Sequence, residues 1–387
     1  MPFLDGLVKQ GITGQIKPIR PGLAPESDEA VLALLGYNAV SFQARRGPLE
    51  ALGVNYQPKS KVSFLALRAN FATSSDGKQI LDRRAGRTLS LQDNKQLCQT
   101  LNEKIQLPVT VRILPGVGHR AVVIFEGSTP FSQDVTNTDP AYTLATSGWT
   151  HAEQTFRMKR KQSRPLKHKK TAQISANLIN LFSNQVFPLL KNHPSNQKRK
   201  LQGKPPANLL LLRDAGITIP KLTPKRKGWS IIANMPLEIG IGRAAGMKIC
   251  NTPQTAVAQT NYPNYAKQAT TQLRAGRSVY VHLKGPDLFG HEKDFEGKVK
   301  SLEEIDRYFF QSLTSNLTLT KTQLIVTADH ATPCTLGGHS SDSVPLLVVS
   351  PKLQPDGTTH LDENQSARGR LNKIRALSLF KRFCQPK

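Results

Sequence analysis

Acidic residues are scarce in this chain of 387 residues: 27 Asp and Glu stand against 53 Lys and Arg, a formal net charge of +26. Such a field fits either nucleic-acid binding or a basic surface around a site for small anions. The cations concentrate in residues 157–170 (RMKRKQSRPLKHKK), with no aromatic residue interleaved. Since single-strand binding surfaces pair cations with stacking aromatics, we interpret the segment as a solvated basic face. We expect no specific nucleic-acid partner, only weak non-specific polyanion binding.

Cysteine is also rare, and long hydrophobic runs are missing. The four cysteines lie far apart without a CxxC pair, which argues against a disulfide framework and favours reduced thiols. No apolar run approaches the roughly 20 residues of a membrane-spanning helix. The first segment, MPFLDGLVKQGITG, has none of the features of a signal peptide. We therefore expect a cytoplasmic protein that does not associate with membranes.

The length predicts two domains, or one domain with a large insertion. From about residue 204, apolar runs alternate with helical patterns, which indicates a largely parallel α/β sheet covered by helices. Residues 1–58 are too short to fold alone. We therefore predict a discontinuous α/β domain of residues 1–58 and 204–387, interrupted by a second domain of residues 60–200.

Five metal-ligand-type residues carry most of the functional information. Asp287 and His291 (PDLFGH) follow the apolar run VYVHL, Asp329 and His330 (TADHATPC) follow LIVTA, and His339 precedes VPLLVVS. If these runs are strands of one sheet, the acids and imidazoles gather at its carboxyl edge, where open α/β sheets bind ligands. Carboxylates mixed with imidazoles suit divalent Mn, Zn or Mg ions, often in pairs. The pattern predicts a metalloenzyme.

Ser27 stands where the helix DEAVLALLG should begin. Two interpretations remain open from the residues alone. Ser27 is either an N-cap that accepts backbone hydrogen bonds, or a nucleophile at a helix N-terminus, where free N–H groups and the dipole would hold a phosphate.

Basic residues in two regions are candidates for binding anions, because arginine forks match carboxylate and phosphate oxygens. For the arginines in the middle of the chain, the alternative interpretation is a basic loop that is exposed to solvent and binds no ligand. Lys284 lies three residues before a candidate metal ligand. The full set is Arg68, Arg83, Arg84, Arg87, Arg120 and Lys284.

Taken together, the motifs resemble the archaeal-type 2,3-bisphosphoglycerate-independent phosphoglycerate mutases of the alkaline phosphatase superfamily. The resemblance covers residues 2 to about 350 and rests on PESDEAVLALLGYN, RRGPLEALG, LRANFATSSDG, DRRAGR, HLKGPDLFGHEKDFEGK and ADHATPCTLGGHSSDSVPLL, in that order. It implies an alkaline-phosphatase-like sheet sandwiched by helices, with a smaller inserted α+β transferase domain. It also implies interconversion of 3-phosphoglycerate and 2-phosphoglycerate in glycolysis and gluconeogenesis.

The resemblance further implies a phosphoserine intermediate on Ser27 and two divalent ions, with no 2,3-bisphosphoglycerate. Manganese is expected, and Mg, Co and Zn are other candidates. Asp287, His291 and His339 would bind one ion and Asp329 and His330 the other, and Ser27 would be a further metal ligand. The arginines and Lys284 would bind the small anionic substrate.

Two questions stay open. In the family, a first strand bearing a metal-binding Asp precedes the segment that MPFLDGLVKQGITG resembles, so we expect this chain to lack it, which leaves its activity open. The alternatives to the mutase are a metal-dependent phosphohydrolase, another phosphotransferase of the superfamily, or an inactive basic paralogue.

Overall fold

The computed structural model describes residues 1–17, 19, 22, 24–144, 150–153, 155–252 and 258–384. The helices are α1 (Pro2–Val8), α2 (Ser27–Leu34), α3 (Arg46–Gly53), α4 (Leu91–Lys104), α5 (Lys170–Leu190), α6 (Pro194–Leu201), α7 (Pro236–Ala244), α8 (Ala258–Arg274), α9 (Gly285–Glu292), α10 (Phe295–Glu304), α11 (Gln311–Thr314), α12 (Glu363–Arg368) and α13 (Ala376–Leu379). The strands are β1 (Gly11–Lys17), β2 (Ser63–Ser74), β3 (Ile80–Asp82), β4 (Thr110–Pro115), β5 (Arg120–Gly127), β6 (Tyr142–Leu144), β7 (Thr150–Ala152), β8 (Leu209–Gly216), β9 (Trp229–Ile232), β10 (Lys248–Cys250), β11 (Ser278–Val281), β12 (Leu324–Thr327), β13 (Val344–Val349) and β14 (Lys373–Arg375). In these ranges no helix has the length and apolar character needed to cross a membrane.

The chain divides into two compact units, and the predicted α/β class is confirmed. Unit 1 contains residues 1–42, 222–234 and 245–387, and unit 2 contains residues 43–221 and 235–244. Both units combine helices with sheets.

The described residues of unit 1 form two sheets. One has the strand order β12-β13-β1-β14, in which β1 pairs antiparallel with β13 and parallel with β14. The other is parallel, with the order β10-β9-β11. The alternation along β13 explains the packing of the first sheet: Leu346 and Val348 enter one apolar cluster with α2 and α13, while Leu347 and Val349 enter another with α1 and α8.

The prediction that the three site-bearing runs lie in one sheet is wrong. They do form the strands β11, β12 and β13, but β11 pairs with β9, whereas β12 and β13 pair with each other. Local periodicity predicts a strand but does not contain the identity of its hydrogen-bonding partner, so this pairing was not available from the sequence.

Unit 2 is built on a sheet with the order β3-β2-β5-β4, with β8 pairing to β2. The long strand β2 is buried on both faces, although it contains Arg68 and Asn70 as well as apolar residues. Leu65, Leu67 and Phe71 pack in the cluster that also holds α4 and α5, while Phe64 and Ala66 pack with Ala51 of α3 on the other side.

The observed unit boundaries differ from the predicted domain limits at 58 and 204. Strand β8, which was assigned to the first domain, pairs antiparallel with β2 in unit 2. Helix α3, also assigned there, packs against α7 so closely that a Cβ on Gly53 would overlap the carbonyl of Pro236. Such close backbone contacts between distant segments leave no signature in local composition.

Candidate metal centre and buried arginine cluster

Ser27 is the first residue of α2 but does not cap it. The N-cap position belongs to Glu26, and no side chain there accepts a capping hydrogen bond. The Ser27 hydroxyl instead lies 3.1 Å from Nε2 of His330, and the residue is 3% exposed. The structure therefore places the hydroxyl at an imidazole and at the start of a helix.

Helix α9 presents two of the predicted ligands one turn apart. Nε2 of His291 lies 3.5 Å from Oδ1 of Asp287, and Nζ of Lys284 lies 2.6 Å from Oδ2 of the same carboxylate. The helix approaches the loop after β12 very closely, because a Cβ on Gly290 would overlap the carbonyl oxygen of Thr332. A residue without a side chain is therefore required there.

Loops after β12 and before β13 complete the centre. Nε2 of His330 lies 3.3 Å from Oδ2 of Asp329, and Nε2 of His339 lies 3.6 Å from Oδ1 of Asp287. The rings of His330 and His339 stack with centroids 3.7 Å apart. Ligand atoms of Asp287, His330 and His339 all lie within 4.8 Å of one another.

Hydrogen bonds on the outer side of the imidazoles determine which nitrogen faces the centre. Nδ1 of His339 lies 2.7 Å from the carbonyl of Pro25, and Nδ1 of His291 lies 3.2 Å from that of Gly337, so each Nδ1 must donate. These bonds direct each Nε2 to the carboxylate of Asp287. A backbone acceptor behind each ring is the arrangement that orients metal-binding histidines.

Thr332 orients the remaining imidazole in the same sense. Its hydroxyl donates to Oδ1 of Asp287 at 2.8 Å and lies 3.2 Å from Nδ1 of His330. Because a hydroxyl has one proton, the contact to His330 requires Nδ1 to donate. Nε2 of a neutral His330 is then an acceptor for the Ser27 hydroxyl or a ligand for a metal.

The residues fit a divalent cation on their own chemistry. Two carboxylates and three Nε2 atoms supply hard oxygen and imidazole donors. Oδ2 of Asp329 is buried without a hydrogen bond, an arrangement that a nearby cation would compensate.

Burial and neighbouring charges shift the pKa values of the carboxyl and imidazole groups in this centre. Burial acts to raise the pKa of Asp287, but contact with His339 and the charge of Lys284 hold it well below its usual range. Burial lowers the pKa of His330 to about 4. Burial also opposes the charged form of His339, yet Asp287 and Glu26 raise its pKa to about 9. Without metal, His330 is neutral near pH 7 and His339 is protonated.

The contacts bring members of the two predicted ligand sets together. The predicted sets are Asp287, His291 and His339 for one ion and Asp329 and His330 for the other, and the group of Asp287, His330 and His339 combines residues of both. His330 also contacts Asp329 and the Ser27 hydroxyl, so its imidazole joins the two sets.

Unit 2 contains a separate cluster of buried positive charge. Arg68 on β2 stands opposite Arg213 on β8, and Arg120 lies on the neighbouring strand β5. Burial, with Arg213 nearby, lowers the pKa of Arg68 to about 9, and burial lowers that of Arg120 to about 10. Glu50 lies 3.4 Å from Nε of Arg68. Adjacent buried cations are costly unless an anion compensates them, so the cluster suits an anionic ligand.

The other predicted basic residues lie in different surroundings. Arg83 donates from Nε and Nη2 to both oxygens of buried Asp139, at 3.0 and 2.8 Å, so its fork is already occupied. Arg84 is partly buried, and burial lowers its pKa. Arg87 ends the short 3₁₀ turn after Arg84. Lys284 is paired with Asp287 and lies in unit 1, with the metal-ligand candidates.

Sequence reasoning missed several residues that complete these clusters. In unit 1 it missed Thr332, although that residue lies two positions after His330. In unit 2 it missed Arg213, whose guanidinium lies 3.5 Å from the ring centre of Tyr142, and the carboxylate of Glu50. The spacing of Thr332 was a usable signal, whereas the position of Arg213 depends on strand register and that of Glu50 on the packing of α3.

Comparison with known proteins gives matches along nearly the whole chain. Residues 8–196 match the family model described as 2,3-bisphosphoglycerate-independent phosphoglycerate mutase, and residues 231–382 match the Metalloenzyme superfamily. Relatives with that mutase name occur in Methanopyrus kandleri (34% identity; 98% of this chain and 88% of the relative) and Archaeoglobus fulgidus (36%; 98% and 90%).

Solved structures agree with these matches. A protein from Pyrococcus horikoshii superposes with a TM-score of 0.73 at 25% identity, covering 98% of this chain and 88% of that one. A cofactor-independent phosphoglycerate mutase from Thermoplasma acidophilum superposes with a TM-score of 0.56 at 26% identity, covering 99% and 91%.

Proposed function

The chain belongs to the 2,3-bisphosphoglycerate-independent phosphoglycerate mutase family and has phosphoglycerate mutase function, and we propose that it works through a phosphoserine on Ser27. The reaction interconverts 3-phosphoglycerate and 2-phosphoglycerate without 2,3-bisphosphoglycerate, in glycolysis and gluconeogenesis. A cytoplasmic location suits this role.

One observation carries the assignment of Ser27: its hydroxyl lies 3.1 Å from Nε2 of His330, inside the acid and imidazole cluster. A serine hydroxyl is a weak nucleophile unless a base or a metal takes up its proton. Thr332 orients Nε2 of His330 toward the hydroxyl, and the low pKa of His330 keeps this nitrogen free of a proton, so that it could hold the metal that activates Ser27. The first turn of α2 adds backbone N–H groups at the same place.

The metalloenzyme match and the donor set support dependence on a divalent metal. We propose two ions, manganese by preference, held by Asp287, His291 and His339 and by Asp329 and His330. When bound, such ions lower the pKa of the serine hydroxyl and neutralise phosphoryl oxygens. Lys284 would hold Asp287 in its ionised form or contact a phosphoryl oxygen.

The chain's own groups then complete a balanced transfer. The Ser27 hydroxyl loses its proton and its oxygen forms a bond to phosphorus as the bond from phosphorus to the substrate oxygen breaks, and the freed glycerate oxygen takes up a proton. The other glycerate hydroxyl next loses its proton and attacks the phosphoserine, the bond from phosphorus to the Ser27 oxygen breaks, and that oxygen takes up a proton. We propose that unit 1 is the phosphatase-like metal-binding domain for these steps.

Glycerate must stay bound between the two steps, and we propose that unit 2 retains it. Its carboxylate would pair with the buried arginine cluster, principally Arg68 and Arg120, with Arg84 and Arg87 beside them. Arg83 would act as a positioning residue, because its guanidinium is already hydrogen-bonded to Asp139. Loss of glycerate before the second step would let water hydrolyse the phosphoserine, which distinguishes a mutase from a phosphohydrolase.

The test compares Ser27→Ala with the wild-type chain in an enolase-coupled assay with manganese and 3-phosphoglycerate. We expect the variant to lose turnover by on the order of 10⁴-fold or more, while its circular dichroism and metal content stay unchanged. The control is Ser41→Ala, which removes an exposed hydroxyl of unit 1 and should retain full activity.

Two outcomes would contradict the proposal. If Ser27→Ala keeps its turnover, Ser27 does not form a phosphoserine intermediate. If the wild-type chain releases inorganic phosphate in place of 2-phosphoglycerate, the protein is a hydrolase. Loss of activity on chelation, restored by manganese, is expected in the wild-type protein.

A further inference from the structure

Residues 157–170 form a largely exposed segment of unit 2 that ends at the first residue of α5, and we call it the basic ribbon. It contains eight Lys and Arg and no acid. Among these cations only Arg160 is partly covered, and the other seven are exposed. The mutase reaction does not explain why so many exposed cations lie in one segment.

The ribbon is held in place by its backbone. The N–H of Arg160 donates to the carbonyl of Lys78 at 2.8 Å, and that of Lys161 donates to Thr138 at 3.0 Å. Further along, the N–H and carbonyl of Ser163 pair with the side-chain amide of Asn180, both at 2.9 Å. The cations therefore project from a fixed backbone, so less backbone ordering entropy is lost on binding.

The first part of the ribbon alternates between covered and exposed positions. Met158 and Arg160 are partly covered, while Arg157, Lys159 and Lys161 are exposed. The three exposed cations thus occupy alternate positions of the segment, and together they form a row.

This row lies along an open groove of about 450 Å³. The groove is lined by Phe156, Arg157, Lys159, Arg160 and Lys161, with Glu153 contributing an acid. Phe156 is 37% exposed, although the guanidinium of Arg83 lies 5.1 Å from its ring centre. The aromatic that the 157–170 segment lacks is therefore supplied by the residue just before it.

We propose that this groove binds single-stranded nucleic acid without sequence specificity. The row of cations would contact successive phosphates, and the exposed ring of Phe156 would stack on an unpaired base. Cations along the backbone combined with an aromatic platform are the two elements of single-strand binding surfaces. A duplex keeps its bases paired and stacked, so its phosphates could contact the cations but none of its bases could stack on Phe156.

The test measures fluorescence anisotropy of a labelled 20-nucleotide RNA of mixed sequence with the full chain, over 50 to 200 mM salt. The site variant is Arg157→Gln/Lys159→Gln/Lys161→Gln. The charge-matched control is Lys300→Gln/Lys321→Gln/Lys373→Gln, three exposed lysines of unit 1.

Each lost phosphate contact lowers the slope of log K against log salt by about 0.7 for single strands. The site variant should therefore lower the slope by about 2 and weaken binding at 50 mM salt at least about tenfold. The control variant should change the slope by less than half as much, and the site variant should keep wild-type mutase activity.

Phe156→Leu separates stacking from charge. We expect it to weaken binding about fivefold or more, within the range for loss of one stacked base, without changing the salt slope. Equal loss in both triple variants would show that the binding follows net charge alone. Tighter binding of the matching duplex, or no effect of Phe156→Leu, would also overturn the proposal.

Discussion

Replacing Glu50 with glutamine tests how far the buried arginines of unit 2 depend on one carboxylate. Glu50 is 2% exposed, its Oε1 accepts from Nε of Arg46 at 2.8 Å, and Nε of Arg68 lies 3.4 Å away. The substitution keeps the size and one acceptor oxygen but removes the negative charge.

The expected cost follows from breaking a buried ion pair by removing one partner, which destabilises by about 3–5 kcal/mol. We expect the lower end, about 3 kcal/mol, because the amide oxygen still accepts a hydrogen bond. For a unit of this size, that loss lowers Tm by roughly 6 to 12 °C. An anion such as sulfate should recover part of the loss by binding the uncompensated arginines.

Calorimetry of the full chain measures the change, with Glu126→Gln as the control. Glu126 is similarly buried but pairs with Tyr56 and with Arg112, whose side chain is 42% exposed, so water can compensate its partner. We expect about 1–2 kcal/mol there. Equal losses in the two variants, or a loss below about 1 kcal/mol for Glu50→Gln, would refute the reasoning.

The contribution of the Glu50 carboxylate to stability should also depend on pH in the acid range. Burial acts to raise the pKa of Glu50, but Arg68 and Arg46 lower it below its ordinary value. A carboxyl with a depressed folded-state pKa stabilises above its unfolded pKa, and this contribution is lost as pH falls through the folded value. The stability difference between wild type and Glu50→Gln should therefore shrink below roughly pH 4.

The remaining predictions concern two residues of unit 1 and the reactivity of two cysteines. Gly290→Ala should cost about 1–3 kcal/mol in a urea titration because its Cβ overlaps a carbonyl, whereas Gly338→Ala, with open space around it, should cost little. Thr332→Val removes the hydroxyl that contacts a carboxylate and an imidazole, and should weaken manganese affinity about 10- to 100-fold by calorimetry, with Thr332→Ser close to wild type. Iodoacetamide at neutral pH should label the half-exposed Cys334 well before Cys98, whose burial raises its pKa, as read by mass spectrometry.

Much of the local structure could be predicted from residue patterns. The runs around Val279, Leu324 and Val344 form strands, and the segment from Ser27 forms a helix. These features depend on neighbours within a few positions, because side-chain periodicity and helix initiation are local properties. The order of several long motifs also indicated the family, which the comparisons confirm.

The amino-acid sequence by itself determined the kinds of chemistry available: acids and imidazoles after strands, a serine at a helix start, and an excess of arginine. Only the tertiary structure decided which of these meet. His330 contacts Ser27 across 303 residues, Arg68 stands opposite Arg213, and Phe156 lies in the basic groove. Such contacts depend on strand register and on the packing of distant segments, which local composition does not contain.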